Sequence, residues 1–403
     1  MRGETNLQDL ESGPYFGSYA LQGRRKKMED SAILAPCLVK CKAELGSAGT
    51  SLSRPLHDAI EDPSPLYTDA NEPAGAKEDI LHFFAVYDGH GGAVASRFCA
   101  KRLHHFFSAR LHLLASLPPG AAPPAMPCQD GPAAETGGAE DEHVAAAGEK
   151  SASSLASSIQ EDCFGPQTVD LRQLRPLTAD MITDALEYAF LEAHERFCRK
   201  TAVELIGTTA TVGVVSSTHI FVAFSGDSRA VLRKHGVAYP VTLDQKPERP
   251  DEAERIKAAG GNIYVTDGQR VEGILGMTRA IGDSALTTAG VTPLPEVTVL
   301  RRAPGDEMLV LASDGLWECV SNEVSVEAAH RCLELVAERG KGRNVGAKHA
   351  AKVLANHAFK KGSGDNITVL VLDLAGPDDR KPKTQSASEG KAGGGEPMDV
   401  DGG

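Results

Sequence analysis

FFAVYDGHGG, residues 83–92, is the stretch on which the fold turns. Phe83 to Tyr87 form an apolar, aromatic and β-branched run of the kind that makes a buried strand. The polarity then changes at a single step, to Asp88, Gly89, His90, Gly91 and Gly92. Two readings fit. Asp-Gly after an apolar run is common turn chemistry. The same residues also suit a metal or phosphate site at a strand end. In that reading Asp88 is a ligand, His90 is a proton donor, and the glycines let a charged group approach the main chain.

Working outward, TATVGVV (209–215), HIFVAF (219–224), RAVLRK (229–234), EMLVLA (307–312) and NITVLVLDL (366–374) carry the same strand character. Between Asp180 and Arg199, apolar Ile182, Leu186, Ala189, Phe190, Ala193 and Phe197 recur at helical spacing. DEAERIKAAGG (251–261) is a short helix with glycine stop signals. Another helix follows the glycines at 91–92 through residue 110, and a further one runs near 323–338. Strand follows strand too often for a regular parallel βαβ array. The expected class is α+β, with packed sheets and helices on their outer faces.

Several of these strands meet an aspartate at one end. FFAVY runs into Asp88, FVAFSG into Asp227 and LVLAS into Asp314, while Asp365 immediately precedes NITVLVL. Singly, each reads as a turn residue. Brought together, they would repel one another unless cations neutralise them, and oxygen-only ligands favour hard ions such as Mg²⁺ or Mn²⁺. RRKKMED (24–30) sets Glu29 and Asp30 directly after a basic run. That run is either a solvated surface or a grip for an anionic substrate beside metal-holding acids. The P-loop, dinucleotide, nucleophile-elbow and H-E-x-x-H patterns are all missing from the sequence.

Composition sets the bounds. The 403 residues are 41% hydrophobic and 24% charged, as in globular chains, and a net charge of -13 argues against nucleic-acid binding through a basic face. The N-terminus lacks the apolar region of a secretory leader, and no apolar run approaches the ~18 residues of a bilayer span. Eight scattered cysteines without a Cys-x-x-Cys pair read as reduced thiols, which places the expected location in cytoplasm or nucleus. Residues 1–14 read as an N-terminal extension, and Ala/Pro/Gly/Ser-rich segments at about 41–78 and 112–176 read as insertions into a catalytic domain spanning 15–374. Residues 375–403 read as a disordered acidic tail.

The blocks GRRKKMED (23–30), FFAVYDGHGG (83–92), GTTATVGV (207–214), FSGDSRAVL (224–232), RVEGILGMTRAIGD (270–283), LVLASDGLWECVSNEV (309–324) and GSGDNITVLVLD (362–373) occur together in order. In this the chain resembles the type 2C metal-dependent protein serine/threonine phosphatases, most of all the plant members. The resemblance implies two antiparallel sheets packed as a sandwich between helices (α-β-β-α), with a binuclear metal site at one edge. It implies two Mg²⁺ or Mn²⁺ ions and a weaker third. Asp88 would bridge the two, with the Gly89 carbonyl on one and Asp314 and Asp365 on the other. Glu29 and Asp30 would act around them, and Asp227 would join Asp314 at the third. Arg25 would hold the substrate phosphate and His90 would be the general acid, with direct attack by a metal-activated water and no phosphoenzyme. Expected partners are phosphoprotein substrates and protein kinases, with no nucleic acid and no membrane, and the chain is expected to be a monomer that opposes kinase signalling.

The resemblance has departures. NIYVTDGQRV (262–271) lacks the tryptophan that the abscisic-acid co-receptor subgroup carries in this loop, and Trp317, the one tryptophan in the chain, lies in a block that reads as structural. Met277-Thr278-Arg279 replaces a more usual Ser-Arg ending. Two other readings stand beside an active phosphoprotein phosphatase: a phosphatase-like pseudoenzyme that sequesters a kinase or receptor, and a phosphohydrolase of small phosphate esters.

Overall fold

A computed structural model describes residues 13–45, 75–127, 166–200 and 204–375. In chain order the strands are β1 (Tyr15–Leu21), β2 (Ser31–Ala43), β3 (Lys77–Tyr87), β4 (Gly89–His90), β5 (Val169–Asp170), β6 (Gly207–Thr208), β7 (Ala210–Val215) and β8 (His219–Ser225). Then come β9 (Arg229–Lys234), β10 (Val237–Pro240), β11 (Ile263–Thr266), β12 (Gly268–Val271), β13 (Ile281–Gly282), β14 (Glu296–Arg301), β15 (Asp306–Ala312) and β16 (Ile367–Asp373). The helices are α1 (Val94–Ser116), α2 (Ala179–Lys200), α3 (Pro250–Ala258), α4 (Asp314–Trp317), α5 (Asn322–Glu338) and α6 (Arg343–Lys361).

Two sheets make the body. One has the order β14-β8-β7-β3-β2-β5 and the other β1-β16-β15-β9-β10. Their long pairs are antiparallel, and the short β2–β5 pair is parallel. The alternation within each strand decides what packs where. On β3, Phe84 and Val86 face the other sheet, where they meet Leu309, Leu311, Leu370 and Leu372. Phe83, Ala85 and Tyr87 face the opposite way, into the core under α1 and α2. Correspondingly, Val310, Val369 and Val371 of the second sheet point to α5 and α6. Both faces of the central strands are thus buried, which explains why the sequence shows continuous apolar runs there. Each fully buried Phe or Leu contributes about 2–3 kcal/mol of transfer free energy.

The sandwich expected from the resemblance is present, α-β-β-α in layers. Helix α6 was not foreseen. Its buried face is Gly346, Ala347, Ala350, Ala351, Leu354, Ala355 and Ala358, a stripe of small residues with little hydrophobic contrast. Three boundaries also move. Residues 41–43 continue β2, 112–116 continue α1, and β5 begins at Val169, so the two insertions are narrower at their edges than composition suggested. Strand pairing and helix packing override composition there: Cys41 is fully buried, and Leu114 and Leu171 are 4% and 1% exposed. Residues 1–12, the middles of both insertions (46–74 and 128–165) and the tail beyond 375 lie outside the described residues.

Antiparallel register sets the site. Ala312, at the end of β15, pairs with Val369 near the start of β16, and Leu21, at the end of β1, pairs with Ile367. Ser31 pairs with Tyr87, and Ala210 with Ser225. Every aspartate-bearing strand end therefore falls at the same edge of the sandwich.

Candidate active site

An open cleft of about 860 Å³ lies at that edge. Arg25, Glu29, Asp88, Gly89, His90, Asp227, Asp314 and Asp365 all line it. Asp30 stands behind its wall, 6% exposed, and accepts from Ser313 Oγ at 2.9 Å.

Asp88 is fixed through its main chain. Its N–H donates to Thr209 Oγ1 at 3.1 Å, and its carbonyl accepts from Thr208 Oγ1 and the Thr209 N–H at 2.9 and 2.8 Å. Gly89 has to be glycine, because a Cβ would stand 2.5 Å from the Glu29 carbonyl oxygen, itself bound by Ser96 Oγ. Gly91 and Gly92 serve the turn rather than the ligand space, with φ of 69° and 132°. Asp314 opens α4 straight after β15, and Trp317 of the same helix donates from Nε1 to the Ala312 carbonyl at 2.9 Å. Trp317 is structural, as its block suggested.

The electrostatics of the cluster are strongly unfavourable for bare carboxylates. Burial, then the charges of Asp30, Asp314, Asp227 and Asp365, push the Asp88 carboxyl well above the carboxylate range. Burial, then Asp227, Glu318 and Asp365, raise Asp314 to about 8. Burial raises Asp30 to about 6 despite its hydrogen bonds. Asp30 Oδ1, Asp227 Oδ1 and Asp314 Oδ1 are buried with no hydrogen-bond partner among the described residues. Unpartnered carboxylate oxygens in a group that repels itself fit hard divalent cations. Asp227 differs from the rest: Lys246 Nζ lies 3.3 Å from its Oδ2, and burial raises its carboxyl while Lys246 opposes that shift.

The acids whose carboxylate oxygens all lie within 4.8 Å of one another are a different group, Asp251, Glu252 and Glu296. Arginine already neutralises it. Arg249 pairs with Asp251 and Glu296, and Arg255 and Arg279 pair with Glu252. Against burial, hydrogen bonding and charge from Arg279, with Arg255 and Thr278, hold Glu252 down at about 2. This is an ion-pair network that anchors α3. Thr278 belongs to it, fully buried and donating to the Gln245 carbonyl at 3.0 Å, while its neighbour Met277 lines the cleft. The 262–271 loop is the β11–β12 hairpin at the cleft's rim, with Val265 80% exposed near its tip.

Two residues at the site were missed from sequence. Asn366 accepts from the Glu29 N–H at 2.7 Å and donates to the carbonyls of Gln22 and Lys27 at 2.7 and 3.0 Å, so it folds the whole basic loop onto the cleft. Its signal was only adjacency to Asp365. Asp283 lies with its Oδ2 2.7 Å from His90 Nε2, and the RAIGD block gave no hint of a partner.

A family model described as Protein phosphatase 2C matches residues 132–367. Protein phosphatase 2C 16 of Arabidopsis thaliana is 32% identical over 94% of this chain, which spans 65% of that relative's length. Probable protein phosphatase 2C 75 of the same plant is 33% identical over 91% of this chain and 75% of its own length. Among solved structures, a serine-threonine phosphatase 2C from Toxoplasma gondii superposes with a TM-score of 0.56 at 19% identity, covering 90% of this chain and 95% of that one. A C. elegans sex-determining protein gives 0.57 at 20% identity, covering 91% and 66%. These two support the fold alone.

Proposed function

The chain belongs to the protein phosphatase 2C family, and on that premise we propose that its cleft hydrolyses phosphoserine and phosphothreonine in proteins, opposing the kinases that place them. The observation that carries the proposal is the convergence of Asp88, Asp227, Asp314 and Asp365 from four strand ends on one cleft that also holds Arg25 and His90.

In this reading Asp88, Asp314, Asp365 and the Gly89 carbonyl hold two Mg²⁺ or Mn²⁺ ions, with Glu29 and Asp30 about them and Asp227 toward a weaker third. The ions, when bound, supply a water of lowered pKa and neutralise charge on the phosphoryl oxygens. Arg25 presents a planar fork to two of those oxygens, a geometry lysine does not offer. Its guanidinium is 60% exposed, so leaving Asp365 for substrate costs little. As the ester P–O bond breaks, its electron pair stays on the seryl or threonyl oxygen, a poor leaving group as alkoxide. His90 lines the cleft and gives that oxygen its proton. Water adds its hydroxyl to phosphorus, and the products are the free alcohol and inorganic phosphate.

The test is phosphate release from a phosphothreonine peptide with Mg²⁺, Mn²⁺ or EDTA. Metal-dependent release supports the reading. Folded protein that is inert with every metal moves the pseudoenzyme reading forward, and activity confined to small esters moves the small-ester phosphohydrolase forward.

A further inference from the structure

We propose that Asp283 is a positioning residue for His90: it holds the imidazole by Nε2 and leaves Nδ1 as the nitrogen that hands the proton to the departing oxygen. The inference rests on the phosphatase reading, in which His90 is the donor.

The pair is built by the fold. A three-stranded ribbon, β13-β6-β4, places Gly207 between the two residues, pairing with His90 on one side and Gly282 on the other. His90 Nε2 and Asp283 Oδ2 then meet at 2.7 Å, with the carboxylate side chain only 2% exposed. Gly207 makes this possible: a Cβ there would collide with Asp283 Oδ2 and stand 2.6 Å from His90 Nε2. Asp283 itself takes a left-handed backbone, φ 49° and ψ 44°, which a side-chain-bearing residue adopts at a cost. That conformation is held from several sides. The Asp283 N–H donates to the Ile206 carbonyl at 3.0 Å, its own carbonyl accepts from Leu286 N–H at 2.8 Å, and Gly282 N–H donates to the buried His194 Nδ1 of α2 at 3.2 Å. A strained, over-determined carboxylate aimed at a cleft histidine is a functional arrangement, and β-strand formation alone does not require it.

The chemistry follows from the two ring nitrogens. A carboxylate accepting from Nε2–H fixes the tautomer and the ring plane. Nδ1 has no hydrogen-bond partner among the described residues and is covered in the free protein, so the groups that cover it must part when substrate binds for Nδ1 to reach the ester oxygen. In the protonated ring, the Nδ1–H proton passes to the ester oxygen as that oxygen takes the P–O electron pair. Nε2–H stays on Asp283, and the neutral ring regains its proton from solvent.

The experiment compares wild type with Asp283→Asn, since asparagine tolerates the left-handed backbone. The substrates are a phosphothreonine peptide and p-nitrophenyl phosphate, whose leaving group departs without a proton. The expected result is a ~10²-fold fall in kcat on the peptide and less than about a 3-fold fall on the aryl ester. His90→Asn should show the same split, and the double variant should lose no more than His90→Asn alone. Equal losses on both substrates, additive losses, or an unaffected peptide rate would overturn the proposal. A second measurement needs no variant at Asp283: ¹⁵N NMR of the wild-type His90 ring, assigned by its loss in His90→Asn. Protonated Nε2 with bare Nδ1 in the neutral ring supports the pair, and the opposite tautomer overturns it even if Asp283→Asn fails to fold. Wild type inert on both substrates sinks the phosphatase reading instead, and the tautomer still decides the pair.

Discussion

The guanidinium of Arg25 donates to Asp365 Oδ2 at 2.5 Å, joining residues 340 positions apart. The candidate phosphate grip thus rests on a candidate metal ligand. Because Arg25 is 60% exposed, the pair contributes at most about 1 kcal/mol to stability.

Arg25→Ala should therefore leave the urea midpoint nearly unchanged while lowering kcat/KM for a phosphopeptide by ~10²-fold. Arg25→Lys keeps the charge without the fork and should recover only part of that loss. A loss of stability comparable to the loss of activity would assign Arg25 a structural role instead.

Asp88→Asn separates metal binding from folding. The buried Asp88 carboxyl is pushed up by burial and by neighbouring acids, so in metal-free protein burying it at neutral pH opposes folding, whether as a charge or by proton uptake. Metal-free Asp88→Asn should melt roughly 4 °C above metal-free wild type, equivalent to ~1–2 kcal/mol. Saturating Mn²⁺ should stabilise wild type by ~2.7 kcal/mol at a hundredfold excess over Kd and the variant far less, with phosphatase activity lost. Differential scanning calorimetry with and without EDTA checks both, and equal Mn²⁺ stabilisation of the two proteins would refute the ligand role.

Asn366→Ala removes three hydrogen bonds from a residue 3% exposed. Each part-buried hydrogen bond lost costs about 0.5–1.5 kcal/mol, so the chemical-denaturation midpoint should fall. Limited proteolysis should gain a new cut within residues 22–29, the loop Asn366 ties down. Unchanged stability and cleavage pattern would mean that the loop holds itself.

His104 governs part of the acid limb. It is 1% exposed, with both ring nitrogens unpartnered among the described residues, and its ring lies against His105 and near Phe83. Burial, then His105, lower its pKa from 6.5 to about 3. The unfolded chain therefore binds the proton first, and stability falls as pH drops from the unfolded value toward the folded one. At pH 5 this costs about 2 kcal/mol. His104→Phe should remove that share, so urea midpoints measured from pH 7 to 5 should fall less steeply than in wild type. Parallel curves would show that His104 is not the group titrating.

Much of the molecule was legible in one dimension. Strand runs such as Phe83–Tyr87 carry their burial in their composition, because strands covered on both faces must be apolar throughout. Aspartates stand out at their ends because nothing in core packing calls for a carboxylate there. Helix α6 was not legible: it packs through alanines and glycine, which say little about which face is inside. What the tertiary structure alone decided is which polar groups meet. Asn366 reaches Glu29 across 337 positions, and Asp283 reaches His90 across 193. Hydrophobic burial is a property each residue carries with it, so sequence patterns record it. A hydrogen bond or charge pair exists only at about 3 Å and in a given direction, and only antiparallel register and the close approach at Gly207 bring those atoms to that distance.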